Sequence, residues 1–164
     1  MHGMAVFVGE QVFGHDAVSN CGGSSAGGAP AAGTIVMTES ALADRYRAYI
    51  ACLNRQDWDN LRQFVADDAR HNGRLLGLAG YRAMLERDFE EIPDLEFNIE
   101  LLVCEAPFVA SRLRFDCRPK GLFLGLAVNG RRVVFAENVF YRFESGKVAE
   151  VWSVVDKAAI EAQL

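Results

Sequence analysis

Residues 95–101 read Leu95-Glu-Phe-Asn-Ile-Glu-Leu101, and this stretch decides the fold class. Apolar and polar residues alternate along it, which is the pattern of a β-strand with one buried face. On the N-terminal side of Pro93 the apolar residues instead recur every three or four positions, as they do on an amphipathic helix. The chain therefore changes from helices to strands at Pro93, and this order predicts the α+β class.

Three helices are predicted ahead of this change, each from apolar residues at helical spacing. The first begins near Thr38 or Ser40 and the second near Asp57, because these side chains can cap a helix. The apolar stripe of the first helix consists of Leu42, Tyr46, Tyr49, Ile50 and Leu53. The second helix is expected to end at Asp67-Asp68. The sequence His71-Asn72-Gly73 then predicts a short strand that runs into a turn, and the third helix covers residues 77–92.

Four long antiparallel strands are predicted after the helices. The first begins at Leu95, and the others cover residues 108–118, 131–144 and 147–156, with a short helix after them. Strands in this order form a curved sheet with the helices on one face. The space between the two layers is the default place for a ligand pocket.

The composition of the 164-residue chain separates two parts. Residues 1–37 contain eight of the fifteen glycines and no Lys or Arg, so they are predicted to be a low-complexity, disordered extension. Residues 38–164 contain all 17 basic residues and form the predicted domain. The net charge of −5, without a basic stripe, argues against a nucleic-acid partner. No apolar run reaches the ~18–20 residues of a membrane span, so a cytoplasmic protein with no membrane partner is expected.

The turn at Ser145-Gly146 fixes the expected register of the last two strands. A two-residue turn would pair Val139 with Trp152 and Glu137 with Val154. Because side chains alternate between the two faces of a strand, one set of residues is expected to share a face. The set is Glu137, Val139, Tyr141, Glu150, Trp152, Val154 and Asp156.

Short motifs follow one another between residues 40 and 160. They are Asp57-Trp-Asp-Asn-Leu61, Val65-Ala-Asp-Asp-Ala-Arg-His-Asn72, Gly77-Leu-Ala-Gly-Tyr81, Ile92-Pro-Asp-Leu95, Gly121-Leu-Phe-Leu-Gly125, Tyr141-Arg-Phe-Glu-Ser-Gly-Lys-Val148 and Glu150-Val-Trp-Ser-Val-Val-Asp156. In this order they resemble the SnoaL-like branch of the NTF2-like superfamily, which includes ester-cyclase-like and polyketide cyclase-like proteins. The resemblance implies an α+β cone in which N-terminal helices pack on a curved, mostly antiparallel sheet. It also implies an apolar pocket, no cofactor, a small apolar molecule as ligand and a homodimer through the outer face of the sheet.

Three residues are candidates for catalysis. His71 stands where the ester-cyclase-like proteins carry a His-Asn pair, and a histidine can move protons near neutral pH. Its alternative role is that of a core residue satisfied by hydrogen bonds. Burial in an apolar cone would raise the pKa of Glu137 and make it a general acid or base, whereas pairing with an arginine would make it structural. Asp156 either acts in the pocket or caps the final helix.

Related enzymes place acids where this chain has none. By resemblance, the ketosteroid isomerases carry one at Val139, the epoxide hydrolases carry one at Val154, and the polyketide cyclases carry an aspartate near Ser153. Arg114-Phe-Asp116 is similar to the Arg-x-Asp pair of limonene-type epoxide hydrolases, with a solvated charged face as the alternative. The candidate pocket residues are Trp152, Tyr141, Arg114, Asp116, Asn72, Val139 and Val154.

These patterns predict a cofactor-independent acid–base enzyme. It would act as a cyclase, isomerase or hydrolase on a small apolar carbonyl or ester substrate. One alternative is a non-catalytic module that binds a small ligand or dimerises, and a further alternative is an epoxide hydrolase-like enzyme. No metal site is expected, because His71 and the nearby Asp67-Asp68 lack the usual zinc spacing, and no pair of cysteines has the CxxC spacing.

Overall fold

A computed structural model describes residues 37–164. The predicted extension 1–37 lies outside the described residues except for Met37, which is half-buried against the core. The elements in chain order are α1 (Glu39–Asn54), a 3₁₀ turn (Leu61–Gln63), β1 (Val65–His71), β2 (Arg74–Leu75), α2 (Gly77–Glu91), β3 (Asn98–Glu105), β4 (Phe108–Cys117), β5 (Leu122–Phe123), β6 (Leu126–Ala127), β7 (Val133–Glu144), β8 (Lys147–Val155) and α3 (Lys157–Glu161).

The main sheet has six strands in the order β2-β1-β8-β7-β4-β3. Strand β1 runs parallel to β8, and every other neighbouring pair is antiparallel. Helix α1 packs against β3 and β4, and α2 packs against β1, so both helices cover the same face of the sheet. The short strands β5 and β6 form a separate hairpin within the loop 119–130. The predicted α+β class is confirmed.

The first predicted helix is confirmed, with Thr38 as its cap. The Thr38 Oγ1 accepts a hydrogen bond from the backbone N–H of Ala41 at 3.2 Å. The predicted apolar stripe is buried along α1, and it consists of Leu42, Tyr46, Tyr49, Ile50 and Leu53. This helix therefore brings two tyrosines into the interior of the protein.

The second predicted helix is wrong. Only a 3₁₀ turn forms at 61–63, and Val65 already begins β1, which continues through Asp67-Asp68 to His71. The reason is tertiary, because β1 pairs in parallel with β8, more than 70 residues away in the sequence. Such long-range pairing overrides a local helical pattern.

The predicted third helix is confirmed as α2, which ends at Glu91 just before Pro93. Its first residue, Gly77, has a φ of +64° and stands close to β1. A Cβ atom at this position would lie 2.9 Å from the carbonyl oxygen of Asp67, closer than real Cβ atoms approach. Glycine is therefore required where the chain passes from the sheet into α2.

The strand predicted from the alternation in residues 95–101 is interrupted by a β-bulge. Leu95 and Phe97 are buried as the alternation predicts, but Leu101 is 57% exposed. Ile99 pairs with Leu113 and Leu101 pairs with Arg112, so Glu100 is an extra residue on β3. A bulge of one residue moves every later side chain to the opposite face, which corrects the expected inward position of Leu101.

A second bulge corrects the predicted register of the β7–β8 hairpin. The pairs next to the turn agree with the prediction, but Ala149 is an extra residue on β8. Beyond it Val139 pairs with Ser153, and Phe140 pairs with Trp152. Trp152 and Val154 therefore lie on the outer face of the sheet, where they are 38% and 57% exposed, and they do not line the interior as expected.

Candidate functional site

A cavity of about 30 Å³ lies between the two long helices and the sheet. A volume of this size holds about two water molecules. Most of its wall is apolar or aromatic. The lining residues are Tyr49, Leu53, His71, Tyr81, Met84, Leu85, Asp88, Phe97, Glu137, Val139, Tyr141 and Val151. The structure thus brings together four residues that sequence analysis selected, namely His71, Glu137, Val139 and Tyr141.

Glu137 is the buried acid of strand β7. Its side chain is 4% exposed, and within residues 37–164 it forms no ion pair. Burial raises the pKa of Glu137 from 4.5 to about 7, while a hydrogen bond with the Ser153 side chain opposes part of the rise. A carboxyl group in this state can accept or donate a proton near neutral pH.

His71 ends β1, where it pairs with Val151 of β8. Burial, with a smaller contribution from the Arg74 charge, lowers the pKa of His71 to about 4. The ring is therefore neutral at pH 7, and one of its nitrogens can accept a hydrogen bond. Its Nε2 lies 3.4 Å from the Oγ of Ser153.

Asn72 fastens the end of β1 to β8. Its Oδ1 accepts a hydrogen bond from the Ser153 N–H at 2.9 Å, and its own N–H donates to the Val151 carbonyl at 2.8 Å. Asn72 and Gly73 both have positive φ, as an Asn-Gly turn between β1 and β2 requires. Asn72 does not line the cavity, so its expected role as a pocket residue is corrected. Its hydrogen bonds instead hold the end of β1 against β8.

All four tyrosines of the chain are buried, and three of them, Tyr49, Tyr81 and Tyr141, line the cavity. The hydroxyl groups of Tyr49 and Tyr81 are hydrogen-bonded at 2.8 Å, and the rings of Tyr46 and Tyr141 lie 5.1 Å apart. Burial raises the pKa of all four hydroxyl groups, and the charge of Glu137 raises them further. The hydroxyl groups therefore remain protonated and can act as hydrogen-bond donors.

Asp88 is a cavity residue that sequence reasoning missed. It lies on the inner face of α2, is 4% exposed, and its pKa is raised well above 3.8 by burial and then by the charge of Glu137. The signal was present in the sequence, because Asp88 follows Tyr81 by two helical turns and Leu85 by three residues. That spacing puts it on the stripe that faces the core.

Asp156 lies outside the cavity and acts as a helix cap. It precedes α3, and its Oδ1 accepts a hydrogen bond from the Ala159 N–H at 3.0 Å. Of the two roles left open for this residue, the structure shows the cap. The expected place of Asp156 in the pocket is corrected, since the hairpin bulge separates it from the interior face.

Arg114 and Asp116 are exposed on the outer face of the sheet, at the opposite side from the cavity. Asp116 binds Arg132 rather than Arg114, through two hydrogen bonds of 2.6 and 2.5 Å. Both residues are therefore corrected from pocket residues to surface residues. The arginine–aspartate pair expected of an epoxide hydrolase does not reach the interior.

In the part of the chain from 37 to 164, no three His, Cys, Asp or Glu side chains are grouped closely enough to hold a metal ion. None of the helices described there combines the length and the apolar character that a membrane span needs.

Comparison with known proteins decides the family. The family model for SnoaL-like polyketide cyclases matches residues 43–164, about three quarters of the chain. The chain belongs to the SnoaL-like polyketide cyclase family. A SnoaL-like polyketide cyclase from Agrobacterium tumefaciens is 56% identical, and the match covers 74% of this chain and 96% of that chain with a TM-score of 0.74. The resemblance found in the sequence is confirmed.

More distant structures share the fold. TsrD from Streptomyces laurentii is 24% identical over 77% of this chain and 96% of its own, with a TM-score of 0.68. AclR from Streptomyces galilaeus is 22% identical over the same shares of the two chains, with a TM-score of 0.63. At these identities the likeness shows the fold alone. No curated protein matches the chain.

In this SnoaL-like protein the acids of the interior do not stand at positions 139, 153 and 154, where related enzymes carry theirs. Val139 and Ser153 face the interior as neutral residues, and Val154 faces outward. The carboxyl groups that line the cavity come from Glu137 on β7, the strand that also carries Val139, and from Asp88 on α2.

Proposed function

We propose that this SnoaL-like protein is a cofactor-independent acid–base enzyme. It moves a proton on the carbon next to the carbonyl or ester group of a small apolar substrate. The single observation that carries this proposal is Glu137, a buried carboxyl group with a pKa of about 7 and no ion-pair partner in the described chain, facing an apolar cavity.

The carboxylate of Glu137 is the proposed base. With a pKa near 7 it is about half ionised at neutral pH, which suits a group that both takes and returns a proton. The apolar walls, with Val139 beside it and Phe97 among the lining residues, exclude water and strengthen the electrostatic interactions of the few polar groups.

His71 and Ser153 are the proposed positioning residues. The neutral imidazole lies within hydrogen-bond reach of the serine hydroxyl, and the serine hydroxyl interacts with Glu137. This arrangement holds the carboxyl group toward the cavity. The tyrosine hydroxyls supply neutral donors for oxygen atoms of a substrate.

The size of the cavity limits what enters without rearrangement. A volume of about 30 Å³ accommodates a carbonyl group and its neighbouring carbon but not a ring system. The rest of a substrate requires movement of flexible lining side chains such as Met84 and Leu85. The same small volume favours the second candidate function, a non-catalytic module that binds a small ligand or dimerises.

Exchange of carbon-bound hydrogen for deuterium distinguishes the two functions. Acetone, cyclopentanone and methyl acetoacetate are incubated in D₂O with the full chain, and their proton NMR signals are followed. We expect exchange by the wild-type protein and a loss of at least about 100-fold in Glu137→Gln, the usual contribution of a general base. Glu150→Gln is the matched control, because Glu150 lies on the same hairpin, bound to Arg142 outside the cavity.

Equal exchange by the wild type and Glu137→Gln would exclude the proposed role of Glu137. An absence of exchange for every probe, together with a stable oligomer, would instead favour the non-catalytic module.

We also propose a homodimer through the outer face of the sheet. Large apolar side chains are exposed there on neighbouring strands, and Phe140 and Trp152 are paired across β7 and β8 at 56% and 38% exposure. Leu101 and Val103 extend the apolar surface on β3. A contiguous apolar surface of this kind is typical of an interface. A second copy of this chain would cover it.

A further inference from the structure

The carboxyl group of Asp88 faces the cavity, and none of its contacts in the described chain explains why an acid is buried there. Its Oδ1 is buried and has no hydrogen-bond partner among the described residues. The side chain caps no helix and forms no ion pair within residues 37–164, and its helical neighbours Met84 and Leu85 are apolar cavity walls. An unpaired buried carboxyl oxygen is unfavourable for folding, so it points to a ligand atom that would complete its hydrogen bonding.

Glu137 determines how Asp88 can act. Both carboxyl groups line the same cavity, one on α2 and the other on β7. Burial, and then the charges of Glu137 and Glu91, raise the pKa of Asp88, while the nearby Arg87 lowers it less. Asp88 therefore holds its proton more strongly than an ordinary aspartate, and the protonated carboxyl group can donate an O–H hydrogen bond, whereas Glu137 can ionise.

We propose that Asp88 is a second catalytic residue, whose carboxylic acid donates its proton to the carbonyl oxygen of the substrate while Glu137 takes a proton from the adjacent carbon. This inference rests on the proposed function and makes it more specific. The substrate class is a carbonyl compound that bears a hydrogen on the carbon next to the carbonyl group.

The proposed step conserves atoms and charge. The C–H bond breaks and its proton goes to the Glu137 carboxylate, and the electron pair left on carbon forms a C=C bond. The C=O π electrons move to oxygen, which takes the proton of Asp88. The products are an enol, a neutral Glu137 and an ionised Asp88. In the reverse step Glu137 returns a proton to the carbon and the enol hydroxyl returns its proton to Asp88.

The test uses the full chain and acetone, the smallest of the three carbonyl compounds, as the probe. Wild type, Asp88→Asn, Glu137→Gln and Glu90→Gln are compared in three measurements. The measurements are deuterium exchange, binding of the probe in an NMR titration, and the midpoint of thermal unfolding. Glu90→Gln is the matched control, because Glu90 is exposed on the same helix.

We expect Asp88→Asn to slow exchange by about 100-fold and to weaken binding, because the oxygen loses its acidic donor. Glu137→Gln is expected to lose exchange but to keep binding. Asp88→Asn is expected to unfold at the same temperature as the wild type or higher, since it removes a buried acid without a partner.

Three results would overturn the inference. Exchange by Asp88→Asn within about threefold of wild type, with loss in Glu137→Gln, would remove Asp88 from the mechanism and leave the proposed function standing. A lower unfolding temperature that accounts for the lost exchange would show a structural role. Undiminished exchange in both variants would remove the proposed function as well.

Discussion

The Oγ of Ser153 lies 3.4 Å from the Nε2 of His71, so a serine on β8 connects the histidine at the end of β1 to the interior of the hairpin. The same hydroxyl interacts with the carboxyl group of Glu137 on β7 and lowers its pKa. Three adjacent strands thus supply one polar group each to a connected cluster, of which His71 and Glu137 line the cavity.

Replacement of the serine tests this connection. In Ser153→Ala the carboxylate of Glu137 loses a hydrogen bond that stabilises its charged form, so its pKa is expected to rise above 7. The pH at which exchange reaches half of its maximum should move upward in a pH–rate profile. Ser153→Thr, which keeps the hydroxyl, serves as the control. An unchanged or more acidic midpoint would show that the hydroxyl does not act on Glu137.

The pH dependence of stability contains opposite contributions from the site, because the pKa values of Glu137 and Asp88 are raised and that of His71 is lowered. The pKa of Glu137 is raised from 4.5 in the unfolded chain to about 7, so the folded state loses stability as pH rises between these values. The pKa of His71 is lowered from 6.5 to about 4, so the folded state gains stability as pH rises from 4 to 6.5. The Glu137 and His71 effects are each worth roughly 3 kcal/mol and oppose each other, while the raised pKa of Asp88 acts in the same direction as that of Glu137.

Single variants are expected to uncover each contribution. In Glu137→Gln the free energy of unfolding should change more positively from pH 4.5 to 6.5 than it does in the wild type, because the Glu137 contribution that opposes His71 is absent. In His71→Gln it should decrease over the same range. Urea unfolding at pH 4.5, 5.5 and 6.5 measures both slopes. Parallel slopes in the two variants would contradict the assigned pKa shifts.

Asp156 is expected to matter for stability and not for catalysis. Its carboxylate caps α3, so Asp156→Ala should lower the free energy of unfolding by about 1 kcal/mol. Asp156→Asn keeps an oxygen for the cap and should retain most of the stability. Chemical denaturation measures the loss, and the exchange rate per folded molecule should stay unchanged. A loss of exchange in folded Asp156→Asn would return this residue to the catalytic set.

The outer face of the sheet is expected to be a dimer interface. Trp152→Glu places a charge on the exposed apolar surface and should convert the protein to monomers in light scattering after gel filtration. Leu122→Glu, at an exposed position in the separate β5–β6 hairpin, should leave the dimer intact. A wild-type monomer, or a dimer that persists in Trp152→Glu, would exclude this interface.

Local patterns in the sequence were sufficient for the helices that stand on their own. The stripe from Leu42 to Leu53 and the cap at Thr38 defined α1, and Pro93 defined the end of α2. The pattern after Asp57 predicted a helix that does not form, because β1 pairs in parallel with β8, which lies far away in the sequence. Periodicity predicted only the α+β class. The resemblance to SnoaL-like proteins predicted the family and the cone-shaped arrangement of helices on a curved sheet.

The candidate site was predicted less completely, and the bulges explain most of the difference. Extra residues at Glu100 and Ala149 reversed the facing of Leu101, Trp152 and Val154, and bulges carry no simple signature in a single sequence. The extra residue of the hairpin lies on β8, so the alternation of side chains along β7 is unbroken. Alternation alone therefore predicted that Glu137 faces the interior. Asp88 was recoverable from its helical spacing.

The central claim is that Glu137 is a buried carboxyl group that titrates near neutral pH inside the cavity. A carbon-13 NMR titration of the glutamate side-chain carboxyl carbons tests it most directly, with the Glu137 signal assigned by its absence in Glu137→Gln. We predict a midpoint at about pH 7 for this carbon. A midpoint near 4.5, the ordinary value for glutamate, would contradict the account.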